Sequence, residues 1–121
     1  MFNCWHKLCI VCAFFISNNI VKDYIQPYLS KNEKVIFIVL DCLSFDIWKK
    51  ISEKLFKFYK INTGNSLSIL PTTTAFARNS IFSGLFPSEI YDKYPKEWEK
   101  MWNNEKSKNI YEEFFIKELL K

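Results

Sequence analysis

Six consecutive apolar residues, most of them β-branched, occupy positions 35–40 and end abruptly in Asp41. An uninterrupted run of this length is what a strand buried on both faces of a parallel sheet requires, whereas a half-buried strand would alternate with polar residues. From Ser44 the period changes to that of a helix. Ile47, Trp48, Ile51, Leu55 and Phe58 fall on one face, with Lys49, Lys50, Glu53 and Lys57 on the other, and the turn at 62–65, which includes Gly64, closes it. Positions 67–70 form a second short apolar run stopped by Pro71. A helix over 75–83 follows, ends at Gly84, and cannot continue through Pro87. Strand, helix, strand and helix in this order predict an α/β fold: a partial sheet of parallel strands with flanking helices and crossover connections.

The flanking segments are less regular. Ser17 or Asn18 can cap a short helix bearing Ile20, Val21, Tyr24 and Ile25, with Pro27 limiting it and a polar turn at 30–34 after it. Residues 91–108 are polar and aromatic, with a short helix around 97–102. Asn109 followed three residues later by Glu112 has the spacing of a capping box, ahead of an apolar face of Phe114, Phe115, Leu119 and Leu120. That face has no later segment to cover it, so it is expected to be exposed, and a truncated domain would explain this. Two parts are expected: an irregular apolar N-terminal segment, 1–16, and one α/β unit, 17–121. The run at 8–16 is shorter than the roughly 20 residues needed to span a bilayer, and no small-residue cleavage pattern follows it, so a cytoplasmic location is expected.

Composition narrows the function classes. The 121 residues carry 17 basic and 13 acidic side chains, for a net charge of +4. The lysines are interspersed with acids and form no single basic stripe, so a nucleic-acid surface is not expected. Cys4, Cys9, Cys12 and Cys42 with the lone His6 do not make a zinc framework. Cys9 and Cys12 have C-x-x-C spacing but lie in an apolar stretch that suits buried small hydrophobes.

In open α/β sheets, ligands bind where loops converge at the carboxyl ends of strands and helix N-termini present free N–H groups. Asp41 falls at one such end, and Thr72, Thr73 and Thr74 lie between the second run and the next helix. Each has two readings. Asp41 can cap the following turn or serve as a hard oxygen ligand for a metal. The threonines can cap the helix or present a hydroxyl nucleophile at its positive end. Arg78 and Asn79, one turn on, can meet a substrate phosphate or pair at the surface.

The stretches VIFIVLDCLSFDIW, 35–48, and SILPTTTAFARNSIFSGLFP, 68–87, resemble the opening motifs of the PglZ domain in the alkaline phosphatase superfamily. They are most similar to the PglZ-type effector of Bacteroidetes two-component response regulators, over about residues 17–121. The resemblance implies the N-terminal part of an alkaline-phosphatase-like domain, a metal-dependent phosphoesterase acting on phosphoesters, plausible substrates being phosphodiesters. It implies Asp41 as a metal ligand and Thr74 as both nucleophile and metal ligand, since counting back from Gly84 and Leu85 the family's nucleophile falls on Thr74. Asn79 and Arg78 are the implied substrate contacts. Two divalent ions, usually zinc, complete the family's site and activate the threonine.

This sequence departs from the family pattern in two respects. The family commonly has Asn or Gly after the first aspartate and a basic residue two positions further on, whereas Cys42 and Ser44 stand here. The family also completes its metals with downstream aspartates and histidines, and no histidine follows His6. The expectation is an enzyme fragment, inactive alone and binding zinc weakly or not at all, whose partner is the remainder of the domain. A non-catalytic remnant or interaction module of the same fold is the alternative. Asp41 and Thr74 are expected as neighbours at one sheet edge, their oxygens roughly 4 to 6 Å apart around a common ion.

Overall fold

The helical segments form largely where the periodicity places them. The computed structural model describes residues 17–121, so the expectations for 1–16, including those for His6, Cys4, Cys9 and Cys12, lie outside the described residues. A 3-10 turn, Ser17–Asn19, leads into a π-helical turn, Val21–Ile25, and then into helix α1, Gln26–Leu29. Pro27 does not end this segment as expected. It sits in the first turn of α1, where its missing N–H costs no helical hydrogen bond. Helices α2 (Phe45–Leu55), α3 (Thr74–Ser83), α4 (Pro87–Lys93), α5 (Pro95–Trp102) and α6 (Glu112–Leu119) follow.

The expected parallel sheet is absent: among the described residues there is no strand, so the α/β assignment is corrected to a helical fold. Residues 35–40 run without regular secondary structure, and Ile36, Ile38 and Leu40 are 82, 66 and 61% exposed while Val35, Phe37 and Val39 are half-buried. Exposure therefore alternates with period two, as along a strand with only one covered face. A strand is defined by its ladder, and no described segment supplies one. The second run, 67–70, reaches only an isolated bridge at Leu67, and Ser17 joins it there through Ser17 N–H to Leu67 O at 2.9 Å.

The same lack of a neighbour leaves α2 uncovered. Ser44 caps it through Oγ, which accepts from Ile47 N–H at 3.4 Å, and its apolar face is where the periodicity places it. Yet Ile47 and Ile51 from that face are exposed, the helix ends at Leu55 short of the expected Phe58, which is exposed too, and no other described helix packs extensively against it.

The hydrophobic core lies in the C-terminal half. Ile90, Met101 and Phe115 are fully buried, and Phe82, Leu85, Tyr94, Trp98, Trp102, Tyr111 and Phe114 pack around them. Helix α6 lies along α3, so of the apolar face expected to be exposed only Leu120, at 39%, remains open: Phe115 is at the centre of the core, and Tyr94, Tyr111 and Phe114 surround it at centroid distances of 5.6–6.4 Å. Among the described residues, most of the exposed apolar surface lies along 35–58 and at Leu67 and Leu70.

Gly84 permits the α3–α6 contact. It ends α3 in the left-handed region at φ 68°, and a Cβ there would come within 2.8 Å of Leu119 Cδ1. Helix α4 begins at Pro87, and Glu89 Oε2 accepts from Phe86 N–H at 2.7 Å at its start. The expected capping box at Asn109 and Glu112 does not form. Tyr111 precedes α6 without a side-chain cap, Glu112 pairs with Arg78, and Asn109 is used elsewhere.

Candidate functional site

Asp41 and Thr74 lie 33 residues apart in sequence and meet directly: Thr74 Oγ1 donates to Asp41 Oδ2 at 3.0 Å. The contact is closer than the 4 to 6 Å expected, and it forms without a sheet to align the two. Thr74 opens α3, where the helix dipole presents its positive end. The preceding residue, Thr73, has extended backbone, and its carbonyl accepts from the Phe76 and Ala77 N–H groups at 3.0 and 2.9 Å. That geometry projects the chain before α3 away from the helix axis and leaves the Thr74 hydroxyl at the helix mouth. Thr72, Thr73 and Thr74 are all exposed.

The turn at Asp41 is held by the aspartate itself. Its Oδ1 accepts from Cys42 N–H at 2.9 Å, and Cys42 Sγ lies 3.7 Å from the same oxygen. Cys42 has φ 57°, in the left-handed region, where an L-residue other than Asn or Asp is disfavoured by contact between Cβ and the carbonyl. This explains why Asn or Gly suits the position. Replacing Cys42 with glycine is expected to raise stability by about 0.5–1 kcal/mol, relief of a left-handed strain of about 1–2 kcal/mol being partly offset by the greater freedom of glycine in the unfolded chain. Urea unfolding of the two proteins measures it, and a loss of stability would show that the thiol contact matters more than the backbone.

Asn109 is a residue the sequence reading missed as part of this site. Its Nδ2 donates to the Thr74 carbonyl at 3.3 Å, tying the loop before α6 to the start of α3. Sequence spacing made it a helix cap, and only the fold shows that the nearer acceptor belongs to α3.

Arg78 and Asn79 point elsewhere. Arg78 Nη2 pairs with Glu112 Oε2 at 2.6 Å, so its guanidinium is engaged between α3 and α6. Asn79 is 1% exposed, and its Nδ2 donates to Ala75 O at 2.7 Å, Met101 Sδ at 3.0 Å and Lys108 O at 3.0 Å. The structure thus brings Asp41 and Thr74 together and directs Arg78 and Asn79 into the helical body.

As a metal centre the donor set is short. Two oxygen ligands on one tetrahedral zinc lie about 3.3 Å apart for bonds of about 2.0 Å, so the Asp41–Thr74 pair has the right spacing for one edge of such a site. A catalytic zinc takes about three protein ligands, and among the described residues no group of three or more His, Cys, Asp or Glu side chains could hold an ion. The residues described here do not by themselves fit a resident zinc. Among them, no helix is long and apolar enough to cross a membrane.

No characterised protein and no solved structure matches the chain. The profile of the family described as PglZ, the BREX system PglZ alkaline phosphatase-like domain, matches residues 20–114, which include both Asp41 and Thr74. Most of the sequence is covered by that match, and the chain belongs to the PglZ family of alkaline phosphatase-like domains.

Proposed function

We propose that this chain carries the nucleophile and one metal-ligand aspartate of a metal-dependent phosphoesterase, with Thr74 as the attacking hydroxyl, and that it is inactive by itself. The observation that carries the reading is the Thr74 hydroxyl held on Asp41 at 3.0 Å at the N-terminus of α3. Asp41 accepts the hydroxyl proton's hydrogen bond and so orients the Oγ1 lone pairs, while the helix end favours an approaching anion such as a phosphoester. A lone carboxylate is too weak a base to generate the alkoxide, because a threonine hydroxyl needs a metal or a stronger base. A metal ion completed by further ligands would supply that activation, with Asp41 and Thr74 contributing only two of its donors. The finer reading is a phosphodiesterase effector of a two-component response regulator, working in the cytoplasm, and it rests on the resemblance of the two motifs.

The test is complementation. The purified chain should contain no stoichiometric zinc and should not hydrolyse bis(p-nitrophenyl) phosphate, with Thr74→Ala changing nothing measurable. Mixed with a polypeptide supplying the family's downstream aspartates and histidines, the wild-type chain should gain zinc-dependent turnover and Thr74→Ala should not. Equal turnover from both would remove Thr74 from the role of nucleophile. Zinc-dependent turnover by the chain alone, lost in Thr74→Ala, would overturn its inactivity. A second reading, a non-catalytic interaction module, is favoured by the exposed apolar residues of 35–58. It predicts association with the complementing polypeptide without turnover.

A further inference from the structure

We propose that Asn109 is a positioning residue for Thr74: by holding the Thr74 carbonyl it fixes the first peptide of α3 and keeps the hydroxyl in the rotamer that meets Asp41. The inference rests on the reading of Thr74 as the nucleophile. Helix α3 lacks the usual device at its start, since Thr73 makes no side-chain cap bond. An uncapped helix end frays. Here the first-turn carbonyls are gripped from the side instead. Asn109 Nδ2 donates to Thr74 O at 3.3 Å, and Asn79 Nδ2 donates to Ala75 O at 2.7 Å. A carbonyl oxygen has two lone pairs, so such a contact can be added to a helical hydrogen bond without displacing it.

The loop that carries Asn109 is braced by its own polar groups. Asn104 Oδ1 accepts from the Lys106 and Ser107 N–H groups, both at 3.0 Å, closing an Asx turn. Lys108 Nζ bridges Trp102 O and Asn104 O at 2.6 and 2.7 Å, and Ser107 Oγ accepts from Asn109 N–H at 3.1 Å. Asn79 then ties Lys108 O to α3 at 3.0 Å, so Asn109 reaches Thr74 from a neighbour that is itself fastened to the same helix. A threonine in a helix divides its hydroxyl between two rotamers, and Thr74 is exposed, so water competes for it. The rotamer seen here donates to Asp41 at 3.0 Å. Turning the Thr74 peptide would swing its Cα–Cβ bond and carry Oγ1 away from that partner. Asn109 thus sets the direction of the hydroxyl without touching a substrate.

The experiment reads the Thr74 rotamer in the full chain by NMR, from the three-bond couplings of its methyl carbon to the backbone. The wild type should show a single rotamer, and the Asn109 side-chain amide should exchange more slowly than that of the exposed Asn103. Asn109→Ala and the isosteric Asn109→Asp both remove the donor, and both should average the couplings over two rotamers. Exchange of the Phe76 and Ala77 amides should quicken roughly two- to tenfold with them, the worth of one hydrogen bond. Asn109→Gln keeps an amide donor and should restore the single rotamer at least in part. In the complemented complex, Asn109→Ala should lower kcat about tenfold or more with KM little changed. A single Thr74 rotamer in both the Ala and Asp variants overturns the proposal, as does a Gln variant no better than Ala. Should the variants fail to fold, an Asn109 amide in the wild type that exchanges as fast as that of Asn103 overturns it as well. Rotamer averaging in the Asn109 variants together with full turnover by Thr74→Ala would instead overturn the nucleophile reading alone, leaving the contact but not its catalytic purpose.

Discussion

Phe115→Ala is expected to remove about 3–5 kcal/mol of stability, enough to unfold a domain whose total stability is about 5–15 kcal/mol or to leave it barely folded. Phe115 is fully buried, and its ring is met by Tyr94, Tyr111 and Phe114. Deleting the ring loses its transfer free energy and leaves a cavity walled by rigid aromatic groups, which cannot collapse to fill it. Circular dichroism during urea unfolding reports the loss. Phe58→Ala is the control: Phe58 is 78% exposed, and its replacement should change stability by no more than about 0.5 kcal/mol. If the two variants lost similar stability, the core would not lie where the structure places it, and the apolar surface of 35–58 would be covered in solution.

Helices α2, α3, α5 and α6 were legible because their apolar spacing, Ser44 as a cap and Gly84 as a stop are local signals. The short α4 was not, since Pro87 was taken as the end of one helix when it is also well suited to begin another. The sheet was misread for a different reason. Residues 35–40 have the composition of a doubly buried strand, but a strand exists only if another segment hydrogen-bonds to it, and sequence pattern along one segment is silent about its partner. Ile36, Ile38 and Leu40 are exposed in alternation with half-buried neighbours, and no described segment forms a ladder with them. The final helix differs in the opposite sense: its sequence shows no later segment to cover its apolar face, yet α3 and the aromatic residues of 94–111 cover all of it but Leu120.

At the candidate site, the proximity of Asp41 and Thr74 is legible from motif and position. Asp41 follows the apolar run and Thr74 opens a helix, although no sheet forms among the described residues. Their oxygens are closer than the expected 4 to 6 Å because Thr74 donates directly to Asp41. Arg78 and Asn79 were placed by helical spacing from Thr74, which sets the height along α3 but not which face of the helix is covered. Burial depends on α6 and the loop before it, which lie some 30 residues further along the sequence.

Asn79→Ala separates the two roles that spacing alone left open for this residue. A substrate contact at an exposed helix end could be removed with little effect on folding, about 0.5 kcal/mol or less. The structure instead shows an almost wholly buried amide whose nitrogen reaches Ala75 O, Met101 Sδ and Lys108 O. Of these, the bond to Lys108 O spans 29 residues and joins α3 to the loop that also supplies Asn109 to the Thr74 carbonyl. Truncation leaves the Lys108 carbonyl without this donor and opens a small void beside Met101, a combined loss expected at about 2–3 kcal/mol. The loop should loosen with it, so limited proteolysis should cut within 103–110 in the variant well before it cuts the wild type. Hydrogen exchange at the first turn of α3 should also quicken, because Asn109 would no longer be held against Thr74. Asn79→Asp should be worse than alanine, since an ionised carboxylate would face the Lys108 carbonyl without a hydrogen to donate. A variant as stable and as protease-resistant as the wild type would return Asn79 to the surface and to the phosphate-binding role its position on the helix first suggested.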